Sequence, residues 1–207
     1  MGRAESIYAE LLGQGGNAHV LPFDVHVVAC ILALSLFESE RDGISLAKAT
    51  GLDGEELNEL CRQVFPRVSL PEAGDPSIGK EEQALRDILW MNCAEASVFE
   101  LLLVRLVARR CQRPNHLWQD LGLANRNELS LLMKRHFPRL ALKNSADMKW
   151  KKFFYRLMCS SEGFRLCSAP VCAECDDFDA CFGTEDGEAM LARIANGKVV
   201  SAQELRQ

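Results

Sequence analysis

Residues 46–70, LAKATGLDGEELNELCRQVFPRVSL, are echoed by residues 117–142, LWQDLGLANRNELSLLMKRHFPRLAL. Leu46, Gly51 and Leu52 align with Leu117, Gly122 and Leu123 at an offset of 71. One inserted residue raises the offset to 72, and Glu56-Leu57, Leu60, Phe65-Pro66-Arg67 and Leu70 then meet Glu128-Leu129, Leu132, Phe137-Pro138-Arg139 and Leu142. Each copy reads as a short helix ending at Gly-Leu, followed by a helix stopped before Phe-Pro. Proline disfavours the α conformation in the residue before it, so both second helices are expected to end at the phenylalanines.

Outward from this core, each copy is preceded by a long apolar helix, which extends the repeat to residues 26–70 and 97–142. Two related three-helix units are expected to pack on each other, because neither buries its apolar face alone. Pro71 to Gly79, with two prolines and two glycines, reads as the linker. Lys80 to Cys111 has a helical pattern broken near Asn92, and Ser97-Val98-Phe99-Glu100 reads as a capping box that restarts the helix. Strand-like alternation is nearly absent. The expected class is all-α.

The last third is different. Asn144 to Asp147 offers a helix start and Gly163 a stop. Between them Trp150, Phe153, Phe154 and Leu157 follow the spacing of a buried helix face, with Lys152, Arg156 and Cys159 opposite. A weak helix over about Glu185 to Ala195, ended by Asn196-Gly197, precedes a polar tail. The domain reading is a helical scaffold over residues 1–142, then an amphipathic helix, a cysteine loop and a tail over 143–207.

The bulk numbers set limits. A chain of 207 residues with 48% hydrophobic and 26% charged residues has the make-up of a soluble protein with a substantial core. The apolar run Val27 to Phe37 is too short to span a bilayer, and the N-terminal MGRAESIYAE has no apolar signal region. Nine cysteines, an odd number, are therefore expected to be reduced, which favours metal binding over disulfides and places the chain in the cytoplasm. The net charge of −5 argues against a nucleic-acid partner. Its distribution reverses sharply: Lys143 to Arg165 carries six basic and two acidic residues, whereas Leu166 to Glu188 carries seven acidic residues and no Lys or Arg.

Four cysteines stand in that acidic stretch as Cys-x4-Cys-x2-Cys-x5-Cys: Cys167, Cys172, Cys175 and Cys181. Thiolates are soft ligands, and four on one loop can enclose a metal or an iron–sulfur cluster. Structural zinc sites more often use two paired arms far apart, so a continuous loop suits a cluster with separated corners better than one ion. A zinc knuckle stapling the C-terminus is the alternative, and a loop that binds no metal is a third. Glu174, Asp176, Asp177 and Asp179 on the same loop suggest exposure, which would suit a site that gives its contents away.

Secondary candidates are few. Cys159, near Lys152 and Arg156, reads as a spare ligand or transfer thiol. His136 could add an imidazole to a metal, although a histidine closing a helix C-terminus is the commoner arrangement. His19, His26 and His116 show no partner spacing, and Cys30, Cys61, Cys93 and Cys111 read as small core residues. No Gly-rich phosphate loop or catalytic constellation is present, so the chain does not read as an enzyme. A second function class also arises: Ser45 to Leu52 followed by a helix resembles a helix-turn-helix, with the cysteine loop as the redox sensor of a DNA-binding regulator. Its would-be recognition helix, Asp53 to Phe65, carries four acidic residues and one arginine and would repel phosphates.

The string from Met133-Lys134-Arg135-His136-Phe137-Pro138 through Met148-Lys149-Trp150-Lys151-Lys152-Phe153-Phe154-Tyr155 to Cys167, Cys172, Cys175 and Cys181-Phe182-Gly183 resembles the NifQ family of nitrogen fixation. The resemblance is strong over about residues 115–186 and looser before them. It implies a carrier of a molybdenum–iron–sulfur cluster, held by Cys167, Cys172, Cys175 and Cys181, that supplies molybdenum for the iron–molybdenum cofactor of nitrogenase. It further implies nitrogenase cofactor-assembly proteins and a molybdenum source such as molybdate as partners, with no membrane. Molybdenum comes from the resemblance alone. The residues themselves add a soft-ligand loop beside a cationic helix that could attract an oxyanion.

Overall fold

The computed structural model describes residues 2–71, 74–161, 181–182, 184–185 and 187–195. Among the described residues there is no strand, in keeping with the all-α reading. In chain order the helices are α1 Arg3–Gly13, α2 Pro22–Asp42, α3 Leu46–Thr50, α4 Gly54–Val64, α5 Lys80–Met91 and α6 Val98–Cys111. They continue with α7 Leu117–Asp120, α8 Arg126–His136, α9 Pro138–Lys143, α10 Trp150–Ser161 and α11 Met190–Ala195.

Helices α2 and α6 form the middle of the body. Every residue from Val27 to Ser35 is buried, as are Leu102 to Val104 and Leu106 to Ala108. Helices apolar on most of their circumference must be enclosed. Accordingly α1 and α3 pack on α2, while α3, α4, α5 and α7 gather round α6. Helix α8 lies against α7 and α9, α10 against α5, and α11 returns to α1. Trp150, Phe153 and Phe154 of α10 join the same hydrophobic core as α2 and α6.

Helix α2 is longer than its apolar run. It starts with Pro22 at a position where the missing N–H needs no partner, and stops at Gly43, whose φ of 62° is left-handed. Its 21 residues are long and apolar enough to cross a membrane, but 61% of its most apolar stretch is buried inside the body, as in a core helix. Two glycines at matched sequence positions are required by conformation and by space. Gly51 and Gly122 have φ of 77° and 76°. A Cβ on Gly122 would lie 3.0 Å from the Cys30 carbonyl oxygen, and one on Gly51 would lie 2.7 Å from Nη2 of Arg86.

One local reading needs extending and two need correction. Both Phe65 and Phe137 end a helix with φ near −131°, yet only Pro66 leads into a turn; Pro138 opens α9. Pro fixes a helical φ and is tolerated in a first turn, so the same dipeptide can stop one helix and start another. Ser97 caps α6 by accepting from the Glu100 N–H, but Glu100 does not reach back to Ser97. Its Oε2 instead accepts from the N–H groups of Glu95 and Ala96, at 2.9 and 2.8 Å. Finally, Asn144 does not begin a helix directly. It exchanges two hydrogen bonds with the Met148 backbone, at 2.8 and 2.9 Å, and that closed turn delivers the chain to Trp150.

Buried charge joins three helix ends. His136, the last residue of α8, is held between Asp24 in the first turn of α2 and Glu100 in the first turn of α6. The distances are 3.0 Å from Nε2 to Asp24 and 3.2 Å from Nδ1 to Glu100. Carboxylates at helix starts and a cation at a helix end each complement the helix dipole. Burial alone would raise the Asp24 carboxyl, but hydrogen bonding to His136 and the charges of His136 and Arg135 hold it below its ordinary range. Arg110, 1% exposed, likewise pairs with Glu38 at 2.7 Å, tying α6 to α2.

Candidate functional site

The site begins where the body ends. Trp150 packs edge-on against Phe153 and tilted against Phe154, with ring centroids 5.6 Å apart in both pairs. This aromatic anchor fixes the rotation of α10, so Lys152 and Arg156 are exposed as the helical pattern predicts. Lys151 differs. Its ammonium pairs with Asp120 and donates to the Arg113 carbonyl, which bolts the start of α10 to the α6–α7 connection.

The chain returns to the start of α10 at Cys181. The Lys149 N–H donates to the Cys181 carbonyl at 2.8 Å, and Phe182 packs against the core. Four further contacts pin the segment that follows. Glu185, its side chain 3% exposed, pairs with Nδ1 of His116 at 3.3 Å and with Arg126. Burial opposes the Glu185 charge, but hydrogen bonding to His116 and the Arg126 guanidinium hold its carboxyl below the usual range. Gln119 donates to the Glu188 carbonyl at 3.0 Å, and Met190 of α11 packs on Leu34 of α2.

Between α10, the α6–α7 connection and this returning segment lies an open cleft of about 510 Å³. His116, Gln119, Lys149, Lys151, Lys152 and Glu185 are among its lining residues. Cys181, half-buried, is joined through its carbonyl to one of those residues, Lys149.

Of the predicted ligands, Cys181 is placed at the N-terminal end of α10. Cys167, Cys172 and Cys175 lie outside the described residues, as do Glu174, Asp176, Asp177, Asp179, the expected stop at Gly163 and the Asn196-Gly197 terminator. Cys159 belongs to the last turn of α10. At 1.5 Å rise per residue that is about 15 Å along the axis from Lys149, so Cys159 and Cys181 sit at opposite ends of the helix. His136 has both ring nitrogens engaged by carboxylates, and among the described residues no cysteine is a hydrogen-bonding partner of it. Among the described residues, no group of three or more His, Cys, Asp and Glu side chains is arranged to hold a metal ion.

Cys30, Cys61, Cys93 and Cys111 are buried free thiols, as expected. Burial pushes Cys61 up to about 11, and Cys93 and Cys111 up to about 12. Cys30 is also raised, by burial and by the nearby Glu128 charge. Such thiols stay protonated and inert at neutral pH.

Sequence reasoning missed His116 and Glu185. They are separated by most of the last third of the chain, so no local spacing could pair them. In the sequence Glu185 is only one of the seven acidic residues from Leu166 to Glu188, yet its side chain is buried. The one available signal was its position after the last motif cysteine, where a chain leaving a loop must be fastened.

Comparison with known proteins decides the family. The NifQ family profile matches residues 27–183, a span that includes most of the helical body and all four motif cysteines. The chain belongs to the NifQ family. It is 39% identical over 174 residues to the NifQ homolog of Sinorhizobium fredii, covering 82% of this chain and 76% of that protein. It is 35% identical over 172 residues to protein NifQ of Rhodobacter capsulatus, with 82% and 94% covered. Protein NifQ of Azotobacter vinelandii is 36% identical over 167 residues, with 72% and 86% covered. The match therefore reaches much further toward the N-terminus than the stretch from 115 that the sequence reading held to be strong. No solved structure gives a significant match.

Proposed function

We propose that the protein is a metallocluster carrier of nitrogen fixation. Its cargo is a molybdenum–iron–sulfur cluster, held by Cys167, Cys172, Cys175 and Cys181, from which molybdenum passes to the assembly of the nitrogenase iron–molybdenum cofactor. The observation that carries this reading is the family match across all four cysteines of one short motif. The anchoring of Cys181 supports it. The chain leaves the described body at the end of α10 and is fastened again near the start of that helix, where the Lys149 N–H donates to the Cys181 carbonyl.

In this reading the protein binds and delivers and carries out no turnover of its own. Its partners are the cofactor-assembly proteins, its molybdenum source is an oxyanion such as molybdate, and it works in the cytoplasm without nucleic acid or membrane. The helical body holds the loop, while the thiolates hold the cargo as soft ligands to iron.

The test uses cluster-loaded protein as the sole molybdenum source in a cofactor-assembly mixture that lacks free molybdate. Molybdenum should appear in nitrogenase with the normal protein. It should be absent with a Cys172→Ala/Cys175→Ala variant presented with the same nominal metal. Loaded protein that yields no molybdenum-containing cofactor, in a mixture active with added molybdate, would overturn the delivery role.

A further inference from the structure

Arg126 is the first residue of α8, a position where the helix dipole disfavours a cation. Its guanidinium answers to groups outside that helix, and it reaches two stretches of chain at once. Nη2 donates to the carbonyl and to the carboxylate of Asp147, at 2.9 Å each, and more weakly to the Met148 carbonyl at 3.4 Å. Nη1 pairs with the buried Glu185 carboxylate. Asp147 and Met148 lead the chain into α10, and Glu185 lies four residues after Cys181, where it has come back.

The two stretches also meet backbone to backbone. Lys149 precedes α10, and its N–H donates to the Cys181 carbonyl at 2.8 Å. The chain that leaves at Lys149 and returns at Cys181 is thus closed at its base, next to the Met148 contact. Asp147 takes a left-handed φ of 55° in presenting its oxygens to Arg126, a conformation that Asp tolerates without preferring.

Stability alone does not account for the Glu185 pairs. Replacing a buried ion pair by apolar side chains is often neutral or stabilising, and the best-attested use of such a pair is to fix register. Phe182 and Met190 supply apolar contact to the returning segment, but apolar contact is not directional. A slip of one residue would withdraw the Glu185 carboxylate from both Arg126 and His116. Gly187 adds a second restraint: its φ is 146°, and a Cβ there would lie 2.7 Å from Nε2 of Gln119.

We propose that Arg126 is a positioning residue that clamps both ends of the segment carrying the cysteine motif, with Glu185 setting the register of the returning end. Through that register the clamp fixes the backbone of Cys181 without help from a metal. That it serves a cluster rests on the carrier reading; the closure itself does not. A guanidinium suits the task because its rigid fork offers donors in two directions, whereas a lysine ammonium is a single point charge.

Amide hydrogen exchange on the metal-free chain tests this, because the Lys149 N–H has the Cys181 carbonyl as its acceptor. Arg126→Gln and Glu185→Gln should each speed exchange at Lys149 by about tenfold or more, as loss of charged hydrogen bonds does. The double variant should be no faster than the quicker single one, since both remove the same contact. Iodoacetamide labelling of Cys181 should quicken in these variants while Cys111 stays protected, and Arg126→Lys should restore part of the protection. Arg3→Gln, which removes the exposed pair with Glu40, should leave Lys149 and Cys181 unchanged. Unaltered exchange at Lys149 in Arg126→Gln would overturn the clamp. Equal acceleration at the amides of α2 and α6 would overturn it too, by making Arg126 a support of the whole body.

Iron and sulfide content after reconstitution of the normal chain separates the two ideas. A normal chain that takes up no cluster sinks the carrier reading, and the Lys149 result still decides the clamp. A loaded normal chain whose Arg126→Gln variant keeps Lys149 protected sinks the clamp and leaves the carrier.

Discussion

Cys30, Cys61, Cys93 and Cys111 lie in the helical body, and the other five cysteines lie on or beyond α10. The first four are enclosed, and those thiols are pushed upward by burial. Cys181, at the far end of the cysteine motif, is half-buried, and it is its backbone that is fastened. Enclosed by Leu and Val, the cysteines of the body are small apolar fillers; the four of the motif are, in the proposed reading, soft ligands of a cluster. Cysteine number alone does not distinguish them. Spacing and helical periodicity do.

The largest effect expected from this contrast is all-or-none. Cys172→Ala or Cys175→Ala should abolish retention of iron and sulfide and leave helical circular dichroism unchanged, because among the described residues the buried core is built mainly by the helices of the body. Loss of global helicity in either variant would break the contrast and make the metal part of the fold.

Next comes an effect on the body alone. His136→Ala leaves Asp24 and Glu100 buried without their shared partner. Breaking a buried ion pair costs about 3–5 kcal/mol. Urea unfolding should show a loss in that range, with cluster content per folded molecule unchanged. A loss of cluster at full stability would instead give His136 the ligand role considered from sequence.

The division of the cysteines can also be read directly. Iodoacetamide at neutral pH, acting on folded protein free of metal, should spare Cys30, Cys61, Cys93 and Cys111. The same reagent should modify them after denaturation. Mass spectrometry of the labelled peptides gives the count, and rapid labelling of Cys111 in the native state would contradict its burial.

A smaller effect is expected with acid. Asp24, Glu38 and Glu185 are held below their ordinary values of 3.8, 4.5 and 4.5 by their cationic partners, which outweigh burial. The folded state therefore favours the ionised forms. Their stabilisation is complete above about pH 4.5 and is lost as pH falls through the lowered values. Denaturation midpoints should be flat from neutrality to about pH 5 and drop below pH 4. A midpoint that rises on acidification would reverse the sign assigned to these pairs.

Much of this molecule could be read locally. The glycines at 51 and 122, the helix ends at Phe65 and Phe137 and the buried face of α10 follow from short-range rules that turn, proline and periodicity impose. What escaped was either ambiguous or distant. Pro138 can end a helix or begin one, and only the packing of Leu140 into the core decides. Asp24, Glu100 and His136 come from three helix ends far apart in sequence, as do His116 and Glu185. Pairing of that kind is written in tertiary structure and has no spacing to find. The cysteine motif is the reverse case, a pattern of four residues in one short stretch that sequence displays by spacing alone, while its role as a ligand set stands as a proposal.

The central claim is that these four thiolates hold a cluster as cargo, and metal analysis of protein isolated without oxygen tests it most directly. The account predicts a brown protein with iron and acid-labile sulfide in comparable amounts, and with molybdenum when the cells are supplied with it. A colourless protein holding one zinc per chain, and taking up no iron or sulfide on reconstitution, would contradict it and leave the cysteine motif a structural knuckle.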